Sequence, residues 1–503
     1  MNLDHLMPYP QRVRQTKKTF PKPKTVRLKA DRSSEATARL LRKDLREVAG
    51  IRVAGKASFT VTLRFARRGV HAEGYRLEID EDGATIVARD EAGLYYGTQT
   101  LLQLLALGES DSLPVLTIDD RPHYKLRSLM VDPGRAPHSL PYLKRIVRIL
   151  ARLKMNVLHL HLNDDQLCGL KFRKLPLGSE NPAAITLSEL NELVRYARRY
   201  HVTIMPEIEC WGHAASFVYH YPDLYGGPGM WGGMSFGIGE DLFELFEKLF
   251  DELIPVLEPE CLVHVGLDEA RWALLPSVTP AQAKDYSPTT LVDRLHRILT
   301  KAGRKHGRKV TMHLWADHGG RPLPKRLEGK VVVEPWMYFE RREADIRAKV
   351  RRYSGKGKTP FMMGGGMSSI HFGGHFGATR IWCQAARRSP NVQGITICNW
   401  ENNALADRMI GLYGGSNYAW SPGAPNGRRK ESDPYSEELT GQMSRRMQEW
   451  QARFRDADTE ALNADRGPAV YRGYYCWGER AGRPVAPTVL RQEAGDEHAA
   501  AVQ

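Results

Sequence analysis

From Leu126 onward the chain keeps one rhythm, short apolar runs alternating with amphipathic stretches, and this limits the possible folds more than any other feature. The runs are LRSLMVD (126 to 132), NVLHLHL (156 to 162), VTIMPEI (202 to 208), CLVHVGLD (261 to 268), KVTMHLWAD (309 to 317), VVVEPWM (331 to 337), PFMMGGGM (360 to 367) and VQGITICNW (392 to 400). Stretches with helical spacing, such as PYLKRIVRILARL and LSELNELVRYARRY, follow most of them; the piece between the sixth and seventh runs is rich in charge. Near-continuous apolar strands separated by helices are what a parallel sheet requires, because the helices must bury both of its faces. Eight such units predict an α/β fold of the (β/α)8 barrel type over residues 119–415.

Upstream, residues 24–118 mix the two periods. TVRLKA, FTVTLRF, YRLEI and ATIVARD read as strands, the last two flanking a DEDG turn, while Ser34 to Val48 and GLYYGTQTLLQLLAL read as helices. A small α+β domain is expected there. Residues 1–23 are Pro-rich and basic without periodicity and predict an N-terminal tail or surface strap. Downstream, residues 416–490 predict a loop, YGGSNYAWSPGAPNG, then a helical extension packing on the barrel; 491–503 read as a disordered tail.

The excess of 73 Lys and Arg over 58 Asp and Glu is scattered along helices with no aromatic platform beside it, so it predicts a solvated surface and no nucleic-acid partner. The six cysteines form no CxxC pair and read as buried thiols. No apolar leader opens the chain and no run approaches membrane-spanning length, which predicts a cytoplasmic protein without a membrane partner. The Gly-rich stretches 226–239 and 371–377 do not fit a phosphate-binding pattern, read equally as lids or plain connections, and imply no cofactor.

In such a barrel the chemistry lies at the C-terminal ends of the strands. There the sequence places Asp132 and Arg135, then Asn163, Asp164 and Asp165, then Glu207, Glu209 and His213, then Asp268 and Glu269. Trp315 and Asp317, Glu334, Trp336 and Tyr338, and finally Trp400 and Glu401 complete the ring. Aromatic faces cover the apolar side of a pyranose, while carboxylates and Arg bind hydroxyls and move protons, so this mixture reads as a sugar site. Asp268 and Glu269 are its centre: two adjacent acids in a closed pocket cannot both ionise comfortably, and one of them, taken as Glu269, is expected to keep its proton for a glycosidic oxygen.

Four segments, MVDPGR, LHLHLNDDQ, MPEIECWGHA and HVGLDEAR, resemble in order the motifs of glycoside hydrolase family 20, the β-N-acetylhexosaminidases. LYYGTQTLLQLL resembles the helix that closes the family's N-terminal domain. The resemblance implies removal of terminal N-acetylhexosamine from oligosaccharides or glycoconjugates, with retention, through attack by the substrate's own acetamido oxygen. It implies Glu269 as general acid/base, Asp268 as the group orienting the acetamido, and Arg135 as a ligand to sugar hydroxyls. Asp164 and His213 would support Glu269, and Trp315, Trp336 and Trp400 would wall the pocket. Three positions depart from the family pattern. Trp211 replaces a Pro and is expected near the mouth, strand seven lacks the usual Tyr, for which Tyr338 is a candidate substitute, and Glu401 directly follows Trp400 where the family has one residue between.

Three other readings remain open on the residues alone. His159 and His161 form an HxH that points to one side of a strand, as metal ligands would, although packing suffices and no metal is expected. A sugar-binding protein without hydrolysis, and a glycosidase using Glu207 or Glu334 as nucleophile, are the others.

Overall fold

The structure, a computed structural model, describes Leu3 and residues 6–107, 110–136, 138–230, 233–317, 323–368, 375–400, 409–423, 478–480 and 483–485. Its larger part is a closed barrel of eight parallel strands. These are β1 (Leu126–Val131), β2 (Val157–His161), β3 (Thr203–Glu207), β4 (Glu260–His264), β5 (Lys309–Trp315), β6 (Val332–Glu334), β7 (Phe361–Ser368) and β8 (Val392–Asn399), and β8 pairs back onto β1. Each of the eight apolar runs therefore forms its barrel strand. Their apolar side chains are almost all buried, as helices outside and packed side chains inside demand.

The connecting helices carry their own start signals. Ser139 caps α1 (Leu140–Arg152) through the Tyr142 amide, with Pro141 in the first turn, and Thr186 and Glu189 form a reciprocal capping box on α2 (Leu187–Arg198). Then come α3 (Glu240–Leu253), α4 (Pro288–Lys305), α5 (Glu343–Tyr353), α6 (Gly377–Ala386) and α7 (Met409–Trp420). The charge-rich piece between β6 and β7 is thus helical, whereas between β5 and β6 the described residues hold only the short turn Lys325–Leu327. The last helix runs to Trp420, into the segment expected as loop: Tyr413, Tyr418 and Trp420 are buried, and that packing carries the helix through its three glycines.

Residues 12–120 form a seven-stranded sheet backed by helices Glu35–Glu47 and Glu91–Ala106. Here the expected N-terminal tail is corrected. Arg12–Pro21 is a strand paired antiparallel with Ser112–Asp120, and Leu3, Leu6, Met7 and Tyr9 are buried. The Gln103 side chain exchanges two hydrogen bonds with the Met7 backbone, both 2.7 Å, which holds a segment lacking any sequence period. The second helix is buried nearly all round between this sheet and the barrel, and Gly97 lets it approach, since a methyl there would come within 2.5 Å of Ile86. Buried ion pairs tie the two parts together: Lys154 to Asp120 at 3.0 Å and Arg152 to Asp44 at 3.1 Å.

Five cysteines are buried free thiols, as expected, and Cys476 lies outside the described residues. So does most of 416–490, apart from 416–423 and a hairpin of Gly478–Arg480 with Arg483–Val485, and all of 491–503. Among the described residues no helix is long and apolar enough to cross a membrane.

Candidate active site

After β4 the backbone turns sharply, with Gly266, Leu267 and Glu269 all at positive φ (63°, 81° and 47°). Two of these are not glycine, and strain of that kind persists only where surroundings enforce it. They do so here: the Leu267 amide donates to Glu209 Oε2 at 3.2 Å and the Glu269 amide to Asp317 Oδ2 at 3.3 Å. Any Cβ at Gly266 would fall 2.0 Å from the Glu209 carboxylate, and one at Gly212 would fall 2.4 Å from the Asp268 carbonyl. Gly266→Ala should therefore destabilise the fold by at least about 2 kcal/mol and displace the acid pair. A thermal unfolding curve checks this, and an unchanged midpoint would show that the turn relaxes freely.

The turn delivers Asp268 and Glu269 beside a chain of paired charges. His213 Nε2 lies 3.4 Å from Glu269 Oε2 and 3.9 Å from Asp268 Oδ2, while its Nδ1 faces Asp164 Oδ1 at 3.3 Å. Arg135 bridges Asp132 (2.9 Å) and Asp164 (2.6 Å). Both ring nitrogens of His161 stand 2.8 Å from carboxylate oxygens, those of Asp164 and Glu207, so the ring is an imidazolium. Burial opposes that charge, but Glu207 and Asp164 push its pKa up to about 10. Burial likewise opposes ionisation of Asp164, and Arg135, His213 and His161 outweigh it, holding this carboxyl well below its usual range. His213 is held well above its ordinary value by Asp164, and then Asp165 and Glu269, against burial. The site thus alternates sign from Arg135 through Asp164 and His213 to the acid pair.

The expected split between the two acids is present in altered form. The carboxyl pushed up is Asp268, to about 6, by burial first, with Asp317 and Glu207 adding to it while His213 opposes. Glu209, fully buried beside it, is raised well above its usual value by burial and by Asp268. Glu209 was legible only as one more acid in MPEIECWGHA; its contact with Gly266, an adjacent strand end, depends on barrel closure.

The aromatic residues divide into two groups. Trp336 stacks on Tyr338 (centroids 5.1 Å, planes at 21°) and donates to Asp317 Oδ1 at 3.2 Å; Trp400 lies 6.3 Å from Tyr338, with the Arg135 guanidinium 5.4 Å over its ring. These three rings pack in one cluster with Met130 and Cys398. Trp315, expected as a pocket wall, is fully buried, 6.0 Å beneath Trp400, and donates to Glu207 Oε1 at 2.7 Å, so it is floor and not wall. Trp211, expected near the mouth, is also buried, with its carbonyl bonded to the Phe236 amide. Burial of either large ring removes far more apolar surface from water than a place at the rim would. Glu401 lies outside the described residues.

Glu207 and Glu334 are fully buried and committed, Glu207 to His161 and Trp315, Glu334 to His313 (2.6 Å) and Thr396 (2.9 Å). His159, Glu207 and His264 present donor atoms within 4.8 Å of one another, so the HxH does project into a dense His and Glu cluster in the barrel interior.

Two family models match in tandem: glycosyl hydrolase family 20, domain 2, over residues 4–121, and the catalytic domain of the same family over 124–352. The chain belongs to glycoside hydrolase family 20. Its similar relatives include a β-hexosaminidase of Porphyromonas gingivalis, 31% identical over 40% of this chain and 30% of that one. Another is a β-hexosaminidase of Akkermansia muciniphila, 31% identical over 40% of this chain and 46% of that one. The chain spans less than half the length of these curated relatives. In three dimensions it resembles a chitobiase of Flavobacterium johnsoniae (TM-score 0.69, 21% identity, 91% of this chain and 74% of that one). It also resembles the β-N-acetylhexosaminidase of Streptomyces coelicolor (TM-score 0.66, 22% identity, 88% and 96%). At such identities the likeness concerns the fold.

Within this family-20 chain the glycines of β7 have a visible reason. A Cβ at Gly364 would lie 2.7 Å from Trp336 Cβ, and the end of β6 hydrogen-bonds there, Met337 amide to Gly364 carbonyl at 3.1 Å. Trp336 thus sits directly against β7, bridged to Gly364, and Tyr338 stacks on it. Burial raises the Tyr338 phenol well above its ordinary pKa, and Cys398, Trp400 and Asp268 lie around it, so Tyr338 is a neutral hydrogen-bonding group within the field of Asp268.

Proposed function

We propose that this family-20 protein hydrolyses terminal β-linked N-acetylhexosamine from oligosaccharides or glycoconjugates, retaining configuration through participation of the substrate's 2-acetamido group. The observation that carries the reading is the Asp268–Glu269 pair: one carboxyl is buried against the aromatic pocket, and the other is more open and 3.4 Å from His213. Asp268, once ionised, accepts the acetamido N–H and steers its oxygen to the anomeric carbon, and the Tyr338 hydroxyl donates to that carbonyl group. Glu269 gives its proton to the leaving oxygen and then takes one from water. Arg135 holds ring hydroxyls, and Trp336 and Trp400 cover the apolar sugar face. The names of the similar curated proteins, β-hexosaminidases among them, favour the same class. A protein carboxylate nucleophile is disfavoured because Glu207 and Glu334, the candidates for it, are sealed beneath the pocket.

The test compares an aryl N-acetyl-β-glucosaminide with the matching β-glucoside. Release of phenol from the acetamido sugar alone, with the β-anomer formed first by NMR, is expected. Cleavage of the plain glucoside at a similar rate would exclude acetamido participation, and turnover of neither would exclude the hydrolase reading.

A further inference from the structure

Among the described residues three large hydrophobic side chains are exposed, and all three lie on neighbouring loops of the catalytic face. Tyr219 and Met230 are on the loop after β3, and Trp272, 54% exposed, is on the loop after β4. Single exposed aromatics are ordinary on protein surfaces. Trp272 is distinguished by where it stands and how its backbone is held. It follows Glu269 by three residues. On either side its neighbours are pinned, the Arg271 amide donating to Ser235 Oγ at 3.2 Å and the Ala273 carbonyl accepting from the Ile238 amide at 2.9 Å. Ser235 belongs to a short hairpin, Tyr225–Pro228 with Met234–Phe236, whose connecting turn carries Met230. Asp165 anchors that hairpin by accepting from the Met234 amide at 2.9 Å, and it faces His213 Nδ1 at 3.4 Å. The two apolar groups thus sit on a frame tied to the same carboxylates that hold the acid pair.

The direction of the reaction says what belongs there. The terminal sugar fills the pocket lined by Trp336, Tyr338 and Trp400, and Glu269 must reach the oxygen of the leaving group. The leaving group therefore lies outward of Glu269, toward the loop that continues to Trp272. We infer that Trp272, with Met230 on the adjoining hairpin, is the platform for the aglycone, and that it takes the C–H face of a second sugar ring. A flat indole on a fixed backbone suits a pyranose face, and three separated side chains do not make the continuous apolar groove an acyl chain would need. The inference rests on the hydrolase reading above.

The experiment measures kcat/KM for a β-linked N-acetylhexosamine disaccharide and for the methyl β-glycoside of the same terminal sugar, with the unaltered protein, Trp272→Ala and Trp272→Phe. The ratio of disaccharide to methyl glycoside should fall on the order of tenfold in Trp272→Ala, the size of one aromatic contact, and recover in part in Trp272→Phe. An unchanged ratio would overturn the inference, whether both values fall together, as for a residue that merely supports the catalytic turn, or neither moves. Either result leaves the hydrolase reading standing, because the unaltered protein still cleaves both glycosides. Turnover of neither by the unaltered protein would remove that reading and the platform with it.

Discussion

Glu269→Gln should lower kcat for an alkyl N-acetyl-β-hexosaminide by about 10² to 10⁴, the usual contribution of a positioned general acid. Glutamine keeps the volume, the positive φ and an oxygen for His213 Nε2, so the variant should melt close to the parent and the loss can be assigned to the proton. The deficit should shrink as the leaving group improves, because a nitrophenolate departs without protonation. A fall of less than tenfold on the alkyl glycoside would move the acid elsewhere. Asp268 is the alternative, since its pKa of about 6 gives it a proton to offer in mildly acidic solution.

That rivalry marks the limit of what the sequence carried. The barrel was legible because each strand is buried on both faces and must be apolar throughout, and the placing of Arg135, Asp164, His213, Asp268 and Glu269 at neighbouring strand ends follows from strand order. The residues whose roles were misjudged or overlooked depend on closure of the barrel, which no local pattern encodes. Trp315 looked like a pocket wall because it ends an apolar run, yet its indole nitrogen finds Glu207, 108 positions earlier, only once β3 and β5 are brought to either side of β4 in the curved wall of the barrel. Glu209 and Gly266 form a contact between adjacent loops that fixes the catalytic turn, and either residue alone carries no signal. Arg12–Pro21 has the composition of a tail and becomes a strand because Ser112–Asp120 offers it an open edge. Pairing with a distant segment overrode local propensity there.

Asp268→Asn should abolish turnover of an N-acetylhexosaminide while making the fold more stable at neutral pH, and the two effects have the same origin. In the folded chain burial lifts this carboxyl from 3.8 to about 6. A raised carboxyl pKa means that the folded state holds the proton more tightly than the unfolded state does. Below about pH 4 both states are protonated and the residue is neutral toward stability. As pH climbs from there to about 6 the unfolded chain ionises first, so stability is lost, and above pH 6 the loss is complete at about 2 to 3 kcal/mol. Asparagine removes the buried charge and with it the penalty, so thermal unfolding at pH 7 should occur at a higher temperature in the variant, and the gap should close as pH approaches 4. Asparagine also removes the anion that accepts the acetamido N–H and offsets the positive charge of the cyclised intermediate. The same desolvation that makes the carboxylate costly in the empty pocket makes it effective once that cation forms beside it. The parent's kcat/KM should accordingly decline on the acid side with a midpoint near pH 6, as Asp268 takes up its proton. A variant no more stable than the parent at pH 7, or a parent acid limb centred near pH 4, would show that Asp268 titrates as an ordinary carboxylate and is not held in reserve for the substrate.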